Sequence, residues 1–298
     1  MASIIALTGA LARLVAMPFD LHTHSNVSDG TEPPAVVVRA AAAAGLTGLA
    51  LTDHDSTAGW AEAADQAVAS GLVFIPGMEV SCVSDTGISV HLLSYLHDPE
   101  DPALCAEIER ARRSRLTRAQ RMVDRLAEDF PITWQHVLEH STADATIGRP
   151  HIADALVTLG VVQNRSAAFT SILTPRSKYY VGHYAPDPVD AVRLVLEAGG
   201  VPVFAHPMAS MRGRVVGTEL FAEMIEAGLA GVEADHRDNP DESRRWLRLL
   251  ARQHGLFVTG SSDYHGAGKP NRMGEHTTPD AVVRQIIERG TGTEAVYP

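Results

Sequence analysis

An α/β barrel is the fold the sequence predicts, and two observations carry that expectation. From Phe19 onward short apolar runs alternate with helical stretches, the pattern of a mostly parallel sheet wrapped by helices. Each run also ends in polar residues able to do chemistry, as expected where the loops after barrel strands converge on one mouth. The candidate strands are FDLHTHS, GLTGLALTDHD, LVFIPGMEVS, SVHLLSYL, VPVFAHP, LAGVEADH and LFVTGSSDYH. Between them, EPPAVVVRAAAAAGL opens on prolines suited to a first helical turn and stops at Gly45, and PVDAVRLVLEAGG repeats that design.

The alternation breaks between 98 and 184. That stretch reads as helices without a convincing strand: PALCAEIERARRSRLTRAQRMVDRLAEDF, TWQHVLEH, RPHIADALVTLG and RSAAFTSIL. It is expected to be a helical subdomain inserted over the barrel mouth, leaving a barrel made of 18–97 and 185–298. Residues 1–17 are expected to be an extension. Their apolar run has no basic residue ahead of it, is broken by Arg13 and is too short to span a membrane. Met17, just before PFDLHTHS, stands as an alternative start.

A composition of 45% hydrophobic and 20% charged residues belongs to a core-forming protein rather than a disordered one. The net charge of −11 opposes a general positive field for long nucleic acids, yet leaves room for a local basic pocket and a small anionic substrate. Cys82 and Cys105 are too few for a disulfide framework and form no CxxC pair, so a reducing, cytoplasmic setting without membrane attachment is expected.

His22 and His24 follow a β-like run with one residue between them, so both imidazoles face the same side of the strand. Alone such a pair is an ordinary polar face. Asp29 lies in SDG, His54 in TDHD, Glu79 in GMEVS, His206 in AHP, and Asp263 and His265 in SDYH. Each has a bland local reading as a turn or a helix cap, Asp53 and Asp55 included. Gathered at successive strand ends, the imidazoles and carboxylates are what clustered divalent cations require. His91, in ISVHLLSYL, reads from its own run as a hydrogen-bonded core histidine.

The signatures DLHTHSNVSDG, LTDHD, the PGMEVS glutamate and GSSDYHG occur in the order that resembles the PHP superfamily of phosphoesterases, from Phe19 to about Gly274. Within it the chain looks most like the nucleoside 3′,5′-bisphosphate phosphatases and related 5′-to-3′ exoribonucleases. The resemblance implies a distorted (β/α)7 TIM-like barrel with a helical insertion. It also implies that His22, His24, Glu79 and Asp263 hold one metal, that Asp29, His54 and His265 hold a second, and that Glu79, His91 and His206 complete a third. Many members place His where this sequence has Asp29, a departure that keeps a competent ligand. Two to three divalent ions are expected, manganese first, with iron or zinc as alternatives.

Clustered cations activate water and neutralise phosphoryl oxygens during in-line attack. No Ser or Cys sits in a nucleophile motif. The proton for the leaving oxygen has as candidate sources a metal-bound water, Asp263, His206 or His236. For substrate phosphate the candidates are Arg149 in GRPH, Lys178 in SKYY, Ser81 and Arg237. Tyr179, Tyr180, Tyr184 and Phe169 are candidates for stacking on a base. The arginines at 110, 112, 113, 115, 118, 121 and 125 are expected to form a solvated face with local ion pairs to Glu107, Glu109 and Asp124.

The first functional expectation is removal of the 3′-phosphate of a small nucleotide such as 3′-phosphoadenosine 5′-phosphate, yielding AMP. Exonucleolytic cleavage of short 5′-phosphorylated RNA is the second. Hydrolysis of histidinol phosphate is the third, and a metal-binding module without catalysis is the non-enzymatic alternative. No obligate protein partner is expected.

Overall fold

Apolar runs bounded by turn residues become eight strands of one sheet in this computed structural model, which describes residues 18–142 and 145–298. The expected extension 1–17 and the start at Met17 lie outside the described residues. The strands are β1 (Pro18–Thr23), β2 (Gly48–Leu51), β3 (Val73–Val83), β4 (Ser89–Tyr95), β5 (Val201–Phe204), β6 (Gly231–Asp235), β7 (Phe257–Gly260) and β8 (Thr278–Pro279). Their order is β7-β6-β5-β4-β3-β2-β1-β8. The eighth strand, absent from the seven expected, is only two residues long, yet it nearly closes the barrel: Thr278 pairs with Phe19 while its hydroxyl accepts from Gly260 N and donates to Gly260 O.

One strand runs against expectation. β3 pairs with β4 antiparallel, and β4 with β5 antiparallel, so the barrel is mixed rather than mostly parallel at this point. The cause is the short link from Ser84 to Ile88, closed by Gly87 at φ 72°, because so few residues cannot hold a crossover helix. His91 consequently sits near the start of its strand and still reaches the mouth.

Helices α1 (Pro34–Ala43) and α2 (Trp60–Ser70) bury Val37, Val38, Ala41, Ala63 and Ala67 against Leu49, Leu51 and Phe74. Between β4 and β5 lie α3 (Pro102–Leu126), α4 (Trp134–Leu138), α5 (Arg149–Thr158), α6 (Arg165–Ser171) and α7 (Pro188–Glu197), with no strand among the described residues. α3 to α6 share a core of their own, in which Met122, Val123 and Leu126 meet Ile152, Leu156 and Leu173. α7 joins α8 (Thr218–Glu226) and α9 (Asp241–His254) on the outer face of the barrel, and α10 (Asp280–Arg289) follows β8. No helix among the described residues is long and apolar enough to cross a membrane.

The barrel interior is packed by Leu21, Ile75, Leu93, Tyr95 and Val203. Tyr95 is fully buried and donates its hydroxyl proton to Leu21 O at 2.9 Å, tying β4 to β1 across the core. Tyr95→Phe is expected to cost about 0.5–1.5 kcal/mol in urea unfolding, with the turnover number unchanged, since only this neutral hydrogen bond is lost.

Candidate metal centre and active-site mouth

β1 delivers His22 and His24 to one side of the sheet, with Nε2 atoms 3.0 Å apart. Glu79 Oε2 lies 3.2 and 3.1 Å from them, and Asp263 Oδ1 lies 3.5 and 3.4 Å away. A cation about 2.1 Å from each of four tetrahedral ligands would set ligand–ligand edges of roughly 3.4 Å. The spacing therefore fits a divalent ion.

A second convergence joins His24, Asp29, His54 and His265, with Asp29 Oδ1 3.1 Å from His265 Nε2. A third uses the other oxygen of Glu79, whose Oε1 is 2.8 Å from His91 Nδ1 and 3.2 Å from His206 Nε2. All nine residues expected from the sequence as ligands thus lie in one cluster. The chemistry of the donors also fits cations. His54 Nδ1 and His265 Nε2 are buried and make no hydrogen bond, although carboxylate oxygens lie at 3.2 and 3.1 Å. Buried imidazole nitrogens that stand beside carboxylate oxygens yet make no hydrogen bond are what a metal takes up.

The loops that carry these residues are held tightly. His206 and Asp263 adopt φ of 27° and 53°, a left-handed region costly for non-glycine residues, which persists only where the surroundings over-determine it. Asp29 sits in a turn closed by Gly30 N to Ser25 O at 2.9 Å, where a Cβ on Gly30 would collide with the carbonyl of His24. Asp53 is no helix cap: it accepts from Ser25 N, Ser25 Oγ and Ser28 Oγ, fixing the loop that bears Asp29. Asp55 accepts from Ser81 N at 2.8 Å. Asp20 holds Ser262 N and Gly274 N, and burial lifts its carboxyl to about 6 against those hydrogen bonds.

Glu233 on β6 joins the site without having stood out in the sequence. It receives His22 Nδ1 at 3.0 Å and His206 N at 2.8 Å, and is fully buried. Burial alone would raise its carboxyl, but the His22 imidazole outweighs it and brings Glu233 to about 2. Its available signal was an acid between Val232 and Ala234 in an apolar strand. Burial, followed by the Arg212 guanidinium, lowers His206 to about 3, so that ring is neutral. His236 lies with its Nε2 3.5 Å from Asp263 Oδ2, and its ring is 5.1 Å from that of His206.

Two groups of cations flank the cluster. Arg212 and Lys269 hold Asp263 Oδ2 at 2.5 and 3.0 Å. Despite the opposing effect of burial, Lys269 and Arg212 keep that carboxyl well below its usual range. On the other side Arg115, Arg118 and Arg149 lie close enough to repel one another, and Arg115 reaches Ser81. Arg115 bonds Ser81 Oγ and lies 3.2 Å from Asp55 Oδ2, while Arg118 lies 3.2 Å from His183 Nδ1. Arg149 donates to Leu173 O, with its guanidinium 5.3 Å from the Phe169 ring and 5.8 Å from that of Tyr180. Burial, then Arg149 and Arg115, bring Arg118 down to about 9.

The expected solvated face of α3 is therefore corrected at these two arginines. Buried Leu104, Ile108, Ala111, Met122 and Leu126 mark an inward stripe at three- and four-residue steps, and positions 115 and 118 fall on it. Lys178 does not join them. Its ammonium lies on Asp129 at 2.6 Å and its side chain is 66% exposed, so a local carboxylate has taken the proposed clamp. Arg237 is likewise engaged elsewhere, with Glu275 at 3.0 Å and Asn271 at 3.2 Å. Of the candidate stacking residues, Tyr179 bonds Asp129 and Tyr184 bonds Glu107, leaving Phe169 and Tyr180 beside Arg149.

His183 reports on this guanidinium pole. Burial first, then Arg118, Arg115 and Arg149, push its imidazole down to about 2. A depressed histidine makes the unfolded chain the stronger proton binder between about 2 and 6.5, so this group erodes stability as pH falls below about 6.5. In an NMR titration His183 is expected to stay neutral to pH 4. Inorganic phosphate is expected to raise its pKa, whereas an unshifted titration would mean that no anion binds there.

Barrel, the helices between β4 and β5, and a cluster of imidazoles and carboxylates define a metal-dependent phosphoesterase scaffold, and the chain belongs to the PHP domain family, whose model matches residues 20–141. The 3′,5′-nucleoside bisphosphate phosphatase of Chromobacterium violaceum is 37% identical over 259 residues, 87% of this chain and 90% of that protein. A phosphoribosyl 1,2-cyclic phosphate 1,2-diphosphodiesterase of Eggerthella lenta is 32% identical, covering 83% of this chain and 94% of its own. A 5′-3′ exoribonuclease of Haemophilus influenzae is 31% identical, with 83% and 89% covered. The crystal structure of a protein described as a metal-dependent phosphoesterase, from Bifidobacterium adolescentis, superposes with a TM-score of 0.89 at 44% identity, covering 92% of this chain and 96% of that one.

Proposed function

We propose that the chain is a metal-dependent phosphoric ester hydrolase that removes the 3′-phosphate of nucleoside 3′,5′-bisphosphates and releases the 5′-monophosphate. The observation that carries this reading is the pairing of the ligand cluster with a guanidinium pole on one strand face. Glu79 and Ser81 stand two residues apart on β3, hence on the same face at roughly 6.6–6.8 Å, and Ser81 is the register partner of His91. A substrate with phosphates on either side of a ribose fits such an arrangement. Arg115, Arg118 and Arg149 would grip the 5′-phosphate, and the 3′-phosphate would fall on the cluster. In this reading 98–184 is the insertion that supplies the pole to a barrel of 18–97 and 185–298. The free thiols of Cys82 and Cys105 are consistent with a cytoplasmic setting.

Two to three divalent ions, manganese in our reading with iron or zinc as alternatives, would be held by the nine ligands and would supply water activation and charge for the phosphoryl oxygens. The protein sets the tautomers around them. His22 donates Nδ1–H to Glu233, and His265 donates Nδ1–H to Asp263 O at 2.9 Å, leaving each Nε2 lone pair free. His236 is set the other way. Asp238 N donates to its Nδ1 at 3.1 Å, so its proton lies on Nε2, facing Asp263. That makes His236, rather than His206, our assignment for protonating the leaving 3′-oxygen. The exoribonuclease relative favours a second activity of the same site, in which the pole holds the 5′-phosphate of a short RNA.

The test is phosphate release by manganese-loaded protein from adenosine 3′,5′-bisphosphate, AMP and histidinol phosphate, alongside a 5′-phosphorylated RNA oligomer. Fast release from the bisphosphate with AMP inert is expected. Release from histidinol phosphate alone would refute the substrate assignment while keeping the metal centre.

A further inference from the structure

Helix α6 sends one side chain into the ligand loops. Arg165 donates from Nε and Nη2 to both carboxylate oxygens of Asp154, each at 2.5 Å, and from Nη1 to the backbone carbonyl of Asp29 at 2.9 Å. Its side chain is only 13% exposed. The same Nη1 packs on Gly268, three residues beyond His265, where any Cβ would collide with it. A single guanidinium therefore rests on both loops that bring Asp29 and His265 to within 3.1 Å of each other.

We propose that Arg165 is a positioning residue that aims the Asp29 carboxylate and so sets occupancy of the cation position shared by Asp29, His54 and His265. The inference rests on the reading of those residues as ligands. Asp29 lies in a turn, outside any helix or strand, so its peptide plane is fixed by the hydrogen bonds its loop makes. Pinning its carbonyl restrains the backbone from which its side chain projects, and so limits the rotamers that reach the cluster. The bidentate grip of Asp154 occupies one edge of the guanidinium and leaves Nη1 directed at Asp29, a geometry that an ammonium cannot reproduce. Asp154 lies on α5, the helix that begins at Arg149. The element that carries part of the phosphate pole thus also braces one metal position.

The experiment is manganese titration of metal-stripped full-length protein by calorimetry, with bound metal counted after gel filtration, for wild type, Arg165→Met, Asp154→Asn and Asp29→Ala. Arg165→Met is expected to bind one manganese per chain about 10–100-fold more weakly. Asp154→Asn should shift the same site in the same direction. In the Asp29→Ala background, Arg165→Met should add nothing. Excess manganese should restore kcat to Arg165→Met with KM for the bisphosphate unchanged, which a general loss of structure would not allow. Wild-type affinity in Arg165→Met, with Asp29→Ala depleted, would overturn the positioning role alone. Full occupancy in Asp29→Ala would overturn the ligand reading, and the proposal with it. Should Arg165→Met fail to fold by circular dichroism, Asp154→Asn decides: undiminished binding there refutes the role.

Discussion

Glu79→Gln is expected to reduce phosphate release by on the order of 10³-fold or more, with a near-native fold and depleted metal. The size of the effect follows from where the two oxygens lie. Oε2 stands within 3.2 Å of nitrogens of His22, His24 and His54, and Oε1 lies 2.8 and 3.2 Å from His91 and His206. Burial opposes ionisation here, but His91, His22 and His54 hold the carboxyl well below its usual range. Gln keeps the volume and removes the charge, replacing one oxygen with a donor that a cation cannot use. Metal analysis should show loss at more than one position, while circular dichroism stays native. Wild-type turnover with wild-type metal content would remove Glu79 from the centre of the site.

Much of this centre was legible because the chemistry lies at strand ends. HTH, TDHD, GMEVS and SDYH each follow an apolar run, and a two-residue period places alternate side chains on one face. Glu233 escaped because nothing beside it in GVEAD marks it as more than a polar interruption; its value comes from His22, 211 residues away in the chain. Arg115 and Arg118 escaped for a different reason. The arginines of α3 were weighed together, whereas the apolar stripe through Ala111 and Met122 singles out these two as facing inward.

Lys178 and Arg237 show the converse. Both lie in suggestive segments, but a side chain that long is claimed by whichever carboxylate is near, here Asp129 and Glu275. The reversal of β4 was written in VSDTGIS, a tight-turn sequence too short for the crossover that a parallel neighbour needs. Reading that turn would also have put the start of this strand, where His91 lies, at the mouth, and so moved His91 away from the bland reading.

Arg118→Met is expected to move two measurements in opposite directions. Arg118 is 5% exposed beside Arg115 and Arg149, and among the described residues Asp55, on Arg115, is the one carboxylate paired with any of the three. Buried cations left facing one another destabilise the empty protein, and burial with mutual repulsion is what brings Arg118 to about 9. Replacing it with an apolar side chain of similar length should raise the stability of phosphate-free protein by about 1–4 kcal/mol. The same replacement removes charge-assisted hydrogen bonds worth about 1.5–3 kcal/mol to a bound phosphate. KM for adenosine 3′,5′-bisphosphate should therefore rise by roughly 10–100-fold. Turnover of an aryl phosphate, which has nothing to place on the pole, should hardly change, and Arg149→Ala should share this selectivity. A site that binds a second phosphate predicts a more stable protein that discriminates less between the two substrates. Equal losses on both substrates, or a lower melting temperature with unchanged KM, would mean that these arginines serve the fold and not the substrate.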